Sequence, residues 1–371
     1  MRRGTPRSKA SMNKRPDNRI LCRFDDLPVF QNRMYDSREE ARSCPKGNVV
    51  LVEDGETGLI YNSAFDPAKL NYDGNYQNEQ GFSAQFRSHL EEVADIVERL
   101  LGRRQITEVG CGKGYFLEML ERRGFDIWGH DPAYEGTNPR IRKTYFDENQ
   151  GLRSTGLILR HVLEHIARPF DFLSAIARAN GGGGLIYIEV PCFEWICQHR
   201  SWFDIFYEHV NYFRISDFER MFGRIVESGH LFGGQYLYVV ADLATLRTPR
   251  FEPAHAVSFP SDFLASLAAT LRHDERTARP AAIWGGASKG VIFALHRERA
   301  GRPIETVIDI NPAKQGRYLP GTGLRAQSPA EALSALPPGS TIYVMNPNYL
   351  AEIKDMSNHA YEYLKVEDDN L

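Results

Sequence analysis

The segment ITEVGCGKGYFLEML (106–120) constrains the fold of this chain more than any other. An apolar strand ends near Glu108, a turn follows with three glycines, and apolar residues then recur at helical spacing. A glycine permits positive φ or lets bare backbone approach a ligand where a Cβ would obstruct it. The next segment, DIWGHDP (126–132), reads as a second strand that ends at Asp131. Together they predict a strand, turn, helix and strand of an α/β sheet.

The spacing of the glycines narrows the ligand that such a turn could bind. A nicotinamide fingerprint would be G-x-G-x-x-G, whereas the order here is E-x-G-x-G-x-G with an acid in front. Asp131 lies about where a dinucleotide fold places a carboxylate on ribose hydroxyls. A tight βα turn without a ligand would also require glycines, so the spacing alone leaves that alternative open.

E-x-G-x-G-x-G resembles motif I of class I methyltransferases, whose cofactor, S-adenosyl-L-methionine, has no pyrophosphate. The segment GLILRHVLEHIARP (156–169) is similar to the fourth strand of that fold and the loop that lines its methyl-transfer site. The resemblance implies a set of cofactor-binding residues, which are Glu108, Gly110, Gly112, Gly114 and Asp131.

Three further segments resemble one group, the sugar C-methyltransferases of deoxysugar biosynthesis, which act on nucleotide-linked 4-keto sugars. They are NYDGNYQNEQGFSAQF (71–86), FDIFYEHVNYF (203–213), and a C-terminal set made of IWGGASKG (283–290), DINPAKQGRYLPG (309–321) and MNPNYLAEI (345–353). The last set is long and unusual, and the resemblance extends over nearly the whole chain. It implies C-methylation of a nucleotide-activated keto-deoxysugar through an enolate.

The same resemblance implies four catalytic residues. Carbon methylation beside a ketone requires a general base, and His209 beside Glu208 is the candidate, because a carboxylate can orient an imidazole and support its charge. His165 and Tyr76 would hold the keto or hydroxyl oxygens. A buried Glu208–His209 ion pair is the structural alternative. His161 and His165 are four residues apart but end a strand and lack a zincin glutamate, so we predict no metal there.

Two departures from the family pattern affect the expected chemistry. The family opens with a four-cysteine zinc lobe, whereas this chain keeps only Cys22, with Asp25, Asp54 and Thr57 at the other ligand positions. Because structural zinc takes four ligands, usually Cys and His, we predict a lobe without zinc. In the catalytic stretch, Phe206 replaces the family's tyrosine and Tyr207 replaces a histidine. A hydroxyl is therefore lost or displaced.

In the C-terminal set, Gly285, Gly286 and Lys289 form a turn that could bind a phosphate of the sugar nucleotide, since a helix N-terminus presents backbone N–H groups. A tight turn without a ligand is the alternative. The role of this turn stays open at the level of the sequence.

A length of 371 residues favours more than one core. We predict an α/β protein with a Rossmann-like class I methyltransferase domain, a second Rossmann-like C-terminal domain and a small N-terminal lobe. The predicted parts are a disordered basic tail (1–19), the lobe (20–81), the cofactor-binding domain (82–245), a linker and helix (246–275) and the C-terminal domain (276–371).

The net charge of −3 and 25% charged residues indicate no general affinity for nucleic acid. No apolar stretch is long enough for a membrane span or signal peptide, and five cysteines without CxxC spacing fit a reducing compartment. We expect a cytoplasmic monomer or homodimer that acts on a small molecule. O- or N-methylation of a sugar or other metabolite, and an inactive cofactor-binding homologue, remain the alternatives.

Overall fold

The computed structural model describes residues 17–70, 80–147, 149 and 151–366. Tyr76 and the basic tail as far as residue 16 lie outside the described residues. The strands are β1 (Arg19–Pro28), β2 (Lys46–Glu53), β3 (Ile60–Asn62), β4 (Ile106–Val109), β5 (Ile127–His130), β6 (Ile141–Arg142), β7 (Gly156–Arg160), β8 (Leu185–Pro191), β9 (Asn211–Tyr212), β10 (Ile225–Leu231), β11 (Tyr236–Asp242), β12 (Ala281–Trp284), β13 (Thr306–Ile308), β14 (Ala326–Gln327), β15 (Thr341–Val344) and β16 (Glu362–Lys365).

The helices connect strands that are mostly parallel. They are α1 (Arg38–Arg42), α2 (Ala84–Leu101), α3 (Tyr115–Arg122), α4 (Pro169–Ala179), α5 (Phe193–Gln198), α6 (Ile215–Met221), α7 (Ala265–Thr277), α8 (Lys289–Arg299), α9 (Pro329–Ala335) and α10 (Leu350–Met356). None of the helices in the described part of the chain combines the length and the apolar character that crossing a bilayer requires.

The central sheet has the order β10-β11-β8-β7-β4-β5-β6, in which only β11 runs antiparallel to its neighbours. The chain enters at β4, adds β5 and β6 on one side, and then crosses to β7 and β8 on the other. The point where the direction reverses lies between β4 and β7, and open α/β sheets bind ligands outside the carboxyl ends of the strands at such a point. The predicted Rossmann-like fold is confirmed.

Helix α2 leads the chain into this sheet, as its apolar spacing predicts. Ser83 caps the helix, because its Oγ accepts the N–H of Phe86 at 3.2 Å. The apolar face buries Leu90, Val93 and Val97, each at most 2% exposed. Burying one such side chain contributes about 1.5–3 kcal/mol.

The C-terminal sheet, with the order β14-β13-β12-β15-β16, is parallel throughout. Its first strand, β12, has later strands on both sides, so this sheet also reverses direction, between β12 and β15. Helix α7 packs against this unit, since the Tyr343 hydroxyl bonds to Asp274 and His273 lies 3.4 Å from Thr341. The C-terminal unit is therefore a second Rossmann-like sheet.

The N-terminal sheet, β1-β2-β3-β9, is antiparallel and takes its last strand from the segment that follows His209. Ile60 pairs with Tyr212, and Tyr61 pairs with Asn211. The lobe thus holds the 203–213 stretch in place, which links a small N-terminal unit to the position of the predicted catalytic residues.

Hydrogen bonds close the turn where the family's zinc ligands would lie. Asp54 Oδ1 accepts the Thr57 N–H at 2.7 Å, the Thr57 hydroxyl at 2.8 Å and the Glu56 N–H at 3.0 Å. Burial raises the pKa of Cys22 to about 12, so this residue is a thiol at neutral pH. The turn at these positions is therefore closed by hydrogen bonds to the Asp54 carboxylate.

We expect the purified protein to contain no stoichiometric zinc and to keep its unfolding transition when treated with a chelator, because the Asp54 turn needs no metal to close. Elemental analysis and thermal unfolding with and without chelator check this. One zinc per chain that resists the chelator would contradict it.

Candidate active site

A cavity of about 600 Å³ lies between the central and C-terminal sheets. In the central sheet it is lined by the loops that follow β4, β5 and β7, and in the C-terminal sheet by the loops that follow β12, β13 and β15. The reversal points of the two sheets therefore face the same space. A cofactor and a second ligand can both reach it.

The glycine turn after β4 forms one wall of the cavity. Gly110 has φ +77°, and a Cβ on it would lie 2.3 Å from Val162 Cγ2, so a larger residue does not fit. Gly112 has φ +56°, and a Cβ there would lie more than 4 Å from every described residue other than its chain neighbours. Gly114 precedes α3 in the left-handed conformation. The turn is closed by packing at Gly110 and open to the cavity at Gly112.

Asp131 follows β5 and is tied to this turn. Its Oδ2 accepts the Gly112 N–H at 2.8 Å, and its Oδ1 accepts the Ala133 N–H at 2.8 Å. A carboxylate has about four acceptor positions, so each oxygen keeps a lone pair for a ligand. Because Asp131 lines the cavity, its carboxylate is placed to accept hydrogen bonds from a diol.

Glu108, in β4 just before the glycine turn, lines the same wall of the cavity and is 2% exposed. Its Oε2 is buried and has no hydrogen-bond partner among the described residues. Burial raises the pKa of Glu108 to about 7, with Asp131 and Glu189 adding to the rise and Arg160 opposing it. A cationic group in the cavity would satisfy this oxygen and favour its ionised form.

The histidines of the two predicted catalytic segments meet at the other side of the cavity. The rings of His165 and His209 lie edge to face, 4.9 Å apart. One ligand atom from each, together with a carboxylate oxygen of Glu164, all lie within 4.8 Å of one another. The three side chains therefore converge on one region of the cavity wall.

Glu208 contacts His165, whereas the sequence analysis paired it with His209. Its Oε2 lies 4.0 Å from His165 Nδ1, and its Oε1 accepts the Gln31 N–H at 3.0 Å. His165 Nδ1 is also 3.0 Å from the Glu208 carbonyl oxygen, so this nitrogen carries a proton and donates it there. Adjacent residues point apart because the Glu208 side chain faces the N-terminal lobe.

His209 is held by ring contacts, with Phe206 edge to face at 4.8 Å. Burial lowers the pKa of His209 well below 6.5, and the nearby His165 and His161 lower it further. Its nitrogens make no hydrogen bond within the described part of the chain. His209 is therefore a neutral imidazole that can accept a proton from a ligand.

Phe206 stands where the family has a tyrosine, so the hydroxyl expected at that position is missing, and the hydroxyl of the adjacent Tyr207 lies outside the cavity. Tyr207 is fully buried, and its hydroxyl donates to the Asp66 carbonyl and accepts the Asp66 N–H at 2.9 Å, away from the cavity. Phe206 lines the cavity in its place. The segment thus presents an apolar ring and one imidazole to a ligand.

Comparison with known proteins finds two family matches, one for the segment of the central sheet and one for the segment of the C-terminal sheet. Residues 84–225 match the family described as "Methyltransferase domain", and residues 260–363 match the "C-methyltransferase C-terminal domain". The chain is an S-adenosylmethionine-dependent methyltransferase. Its C-terminal segment, residues 260–363, matches the C-terminal domain of C-methyltransferases, as the sequence resemblance implied.

Among individual relatives, this methyltransferase is 22% identical to the C-methyltransferase NovU of Streptomyces niveus over 324 residues, which is 76% of each chain. It is similar to an S-adenosylmethionine-dependent methyltransferase of Mesorhizobium loti (12% identity, 43% of this chain and 100% of that chain, TM-score 0.35). It is also similar to the 1,6-didemethyltoxoflavin-N1-methyltransferase of Burkholderia thailandensis (14% identity, 50% and 95%, TM-score 0.33).

The residues of the glycine wall fit the methyltransferase cofactor. The orphaned Glu108 Oε2 suits the ammonium group of the methionine portion, and Asp131 suits the two ribose hydroxyls. The open space at Gly112 admits the close approach of a ligand to the backbone. We assign these three residues to cofactor binding as a proposal from geometry.

Sequence reasoning missed Glu189, a fully buried acid in the middle of β8. Its carboxylate contacts Arg160 at 3.2 Å, the Tyr187 hydroxyl at 2.7 Å, His89 at 3.1 Å and His161 at 2.9 Å. Burial disfavours the carboxylate, but Arg160 and the two histidines hold the pKa of Glu189 well below 4.5. A charge inside the apolar run LIYIEVP was the available signal.

Glu164 was also missed, although it precedes His165. His161 Nδ1 lies 3.4 Å from Glu164 Oε1, and Glu164 Oε2 is buried without a hydrogen-bond partner among the described residues. Burial opposes the charge on His161, yet its contacts with Glu164 and Glu189 raise the pKa of His161 to about 9. His161 thus bridges two buried carboxylates and positions Glu164 beside His165 and His209.

We expect Asp131→Ala to weaken binding of S-adenosylmethionine by about 1.5–3 kcal/mol, the range for hydrogen bonds to a charged group. Titration calorimetry measures it. Asp309→Asn is the matched control, since Asp309 follows the second strand of the other sheet and should leave this affinity unchanged. Binding of NADH in place of S-adenosylmethionine would contradict the assignment of the turn.

Proposed function

We propose that the enzyme transfers a methyl group to the carbon beside the ketone of a nucleotide-activated keto-deoxysugar, through an enolate. The resemblance to sugar C-methyltransferases and the similarity to NovU support this substrate class. The observation that carries the proposal is the convergence of Glu164, His165 and His209 on a cavity that both sheets line.

Carbon methylation at this position begins with removal of the acidic proton. His209 is neutral because burial lowers its pKa, and its nitrogens are not occupied by protein groups among the described residues. It can therefore take the proton from the substrate carbon. The cofactor, when bound, supplies an electrophilic methyl group for the resulting carbanion.

The enolate oxygen requires a hydrogen-bond donor. Because His165 Nδ1 donates to the Glu208 carbonyl, its Nε2 is directed away from that carbonyl, and a proton on Nε2 would donate to an oxyanion. The Glu208 carboxylate, 4.0 Å from Nδ1, balances the positive charge of that form. Glu208 is thus a positioning residue for His165. Tyr76, outside the described residues, stays a second candidate for this contact.

We expect the acidic limb of the pH profile to lie below pH 6.5. The base acts when neutral, above its pKa, and the pKa of His209 is lowered, so activity should persist in mild acid and fall only as His209 becomes protonated. The measurement is kcat/KM for the keto sugar against pH with the cofactor saturating. A limb above pH 6.5 in the wild-type enzyme would count against His209.

The substrate class can be tested with matched nucleotide sugars. The enzyme is incubated with methyl-labelled S-adenosylmethionine and pairs of nucleotide sugars that differ only in a ketone or a hydroxyl at C4. We expect labelled product from the ketones alone. Equal methylation of the alcohols would indicate O-methylation and would overturn the proposal.

A further inference from the structure

Each turnover of the proposed reaction leaves one proton on the base. The bond between the substrate carbon and its hydrogen breaks, a bond between that carbon and the methyl group forms, and the cofactor loses its positive charge. The hydrogen stays on His209 as a proton, which must leave before the next substrate can be deprotonated. Because burial lowers the pKa of His209 well below 6.5, the protonated ring readily gives this proton up.

Glu164 is placed to receive that proton. One of its carboxylate oxygens lies within 4.8 Å of a His209 ring nitrogen, a separation that one water molecule spans with two ordinary hydrogen bonds. Glu164 is 1% exposed and lines the cavity, and its Oε2 has no hydrogen-bond partner among the described residues. Since a buried carboxylate oxygen without a donor is costly, this oxygen is available to a proton from the cavity.

The other acids that line the cavity are engaged elsewhere. Asp204 is paired with Lys289, the cation of the C-terminal glycine turn, at 2.8 Å. Glu352 accepts the Ser83 hydroxyl at 2.6 Å at the start of α2. The remaining acids of the wall belong to the two glycine turns and are Glu108, Asp131 and Asp309. Glu164 is therefore the acid of this wall that is best placed to serve the base.

His161 holds Glu164 in this position. Its φ is +51°, a left-handed conformation that is uncommon for a residue with a Cβ and that occurs mostly where the surrounding structure enforces it. His161 Nδ1 lies 3.4 Å from Glu164 Oε1, and its Nε2 lies 2.9 Å from Glu189. The pKa of His161 is raised to about 9, so a cation faces the Glu164 carboxylate at neutral pH. This contact uses Oε1 and leaves Oε2 for the proton.

We propose that Glu164 is the proton-relay residue of this enzyme, which takes the proton from His209 through one bridging water and passes it to the solvent. The N–H bond of the protonated imidazole breaks, an O–H bond forms on Glu164 Oε2, and the proton leaves that oxygen for water when the product departs. His161 is a positioning residue in this step. The inference rests on the proposed function for its starting event, the removal of a proton from the substrate carbon.

A relay has a signature that general damage to the site does not have. In deuterium oxide, with S-adenosylhomocysteine in place of the methyl donor, the proton on His209 either returns to the substrate carbon or is replaced from the solvent through Glu164. Exchange thus needs both residues, whereas the first methyl transfer needs only the removal of the proton. The ratio of the exchange rate to the single-turnover rate of methyl transfer therefore reports on the relay.

Glu164→Gln keeps the shape of the side chain and removes the proton acceptor. We expect this ratio to fall by about tenfold or more, because a positioned proton-transfer group contributes at least that much. Glu164→Asp, which restores a carboxylate, should recover a large part of the ratio. Asp171→Asn, an exposed acid of the next helix, is the control that leaves the ratio unchanged. The affinity for S-adenosylhomocysteine, measured by calorimetry, shows whether each variant is folded.

The relay and the proposed function can fail separately. An unchanged ratio in Glu164→Gln, or a ratio that falls as far in Glu164→Asp, would overturn the relay and leave the proposed function. If Glu164→Gln does not fold, Glu164→Ala replaces it, and added formate should then restore the exchange; no restoration would count against the relay. A wild-type enzyme that neither exchanges nor methylates any keto sugar would remove the proposed function, and that result needs no variant.

Discussion

His209→Gln should lower turnover by about a hundredfold to ten-thousandfold, the range typical of a lost general base, while leaving affinity for S-adenosylmethionine nearly unchanged. The reason is geometric, because His209 lines the cavity, its ring nitrogens have no hydrogen-bond partner among the described residues, and it takes no part in the glycine wall. Single-turnover rates and cofactor calorimetry on the same variant separate chemistry from binding.

Solvent deuterium exchange at the substrate α-carbon is the sharper readout, because without the methyl donor it scores proton abstraction alone. Wild type should exchange and His209→Gln should not. Glu208→Gln is the matched comparison, since Glu208 contacts His165 and should lower the exchange rate less. Equal exchange in wild type and His209→Gln would move the base to His165 or Tyr76.

Glu189→Gln should lower the free energy of unfolding by about 3–5 kcal/mol, the cost of removing one partner from a buried ion pair. Arg160 would keep its charge but lose the acid that balances it, and His161 would lose one of the two carboxylates that raise its pKa. Equilibrium urea unfolding at neutral pH measures the change.

Glu227→Gln is the control for that experiment. Glu227 bonds to Arg99 through both carboxylate oxygens, but the pair lies at the surface, with the Arg99 side chain 54% exposed. Surface pairs contribute about 0–1 kcal/mol. If Glu189→Gln cost no more than Glu227→Gln, the buried network would not carry the charges assigned to it.

The sequence predicted the parts of the fold that depend on local chemistry. The strand ending near Glu108, the glycine turn after it, the following helix and the strand that ends before Asp131 follow from spacing and backbone conformation, and all are observed. A second Rossmann-like C-terminal domain was predicted as well, and strands β12, β13 and β15 of its parallel sheet are observed.

The partners of the site residues could not be predicted in the same way. Glu208 and His209 are adjacent in sequence, but the lobe draws the Glu208 carboxylate to Gln31 and His165. The network around Glu189 joins α2, β7 and β8, so only the folded sheet brings its members together. Side-chain direction and contacts across the sheets are tertiary properties that spacing does not encode.

The position of the transferred methyl group tests the central claim most directly. The enzyme is incubated with ¹³C-methyl S-adenosylmethionine and a nucleotide 4-keto sugar, and the product is studied by NMR. We predict that the labelled methyl protons correlate with the carbonyl carbon, because the methyl group is bonded to the adjacent carbon. A labelled methyl group bonded to oxygen or nitrogen would contradict the account.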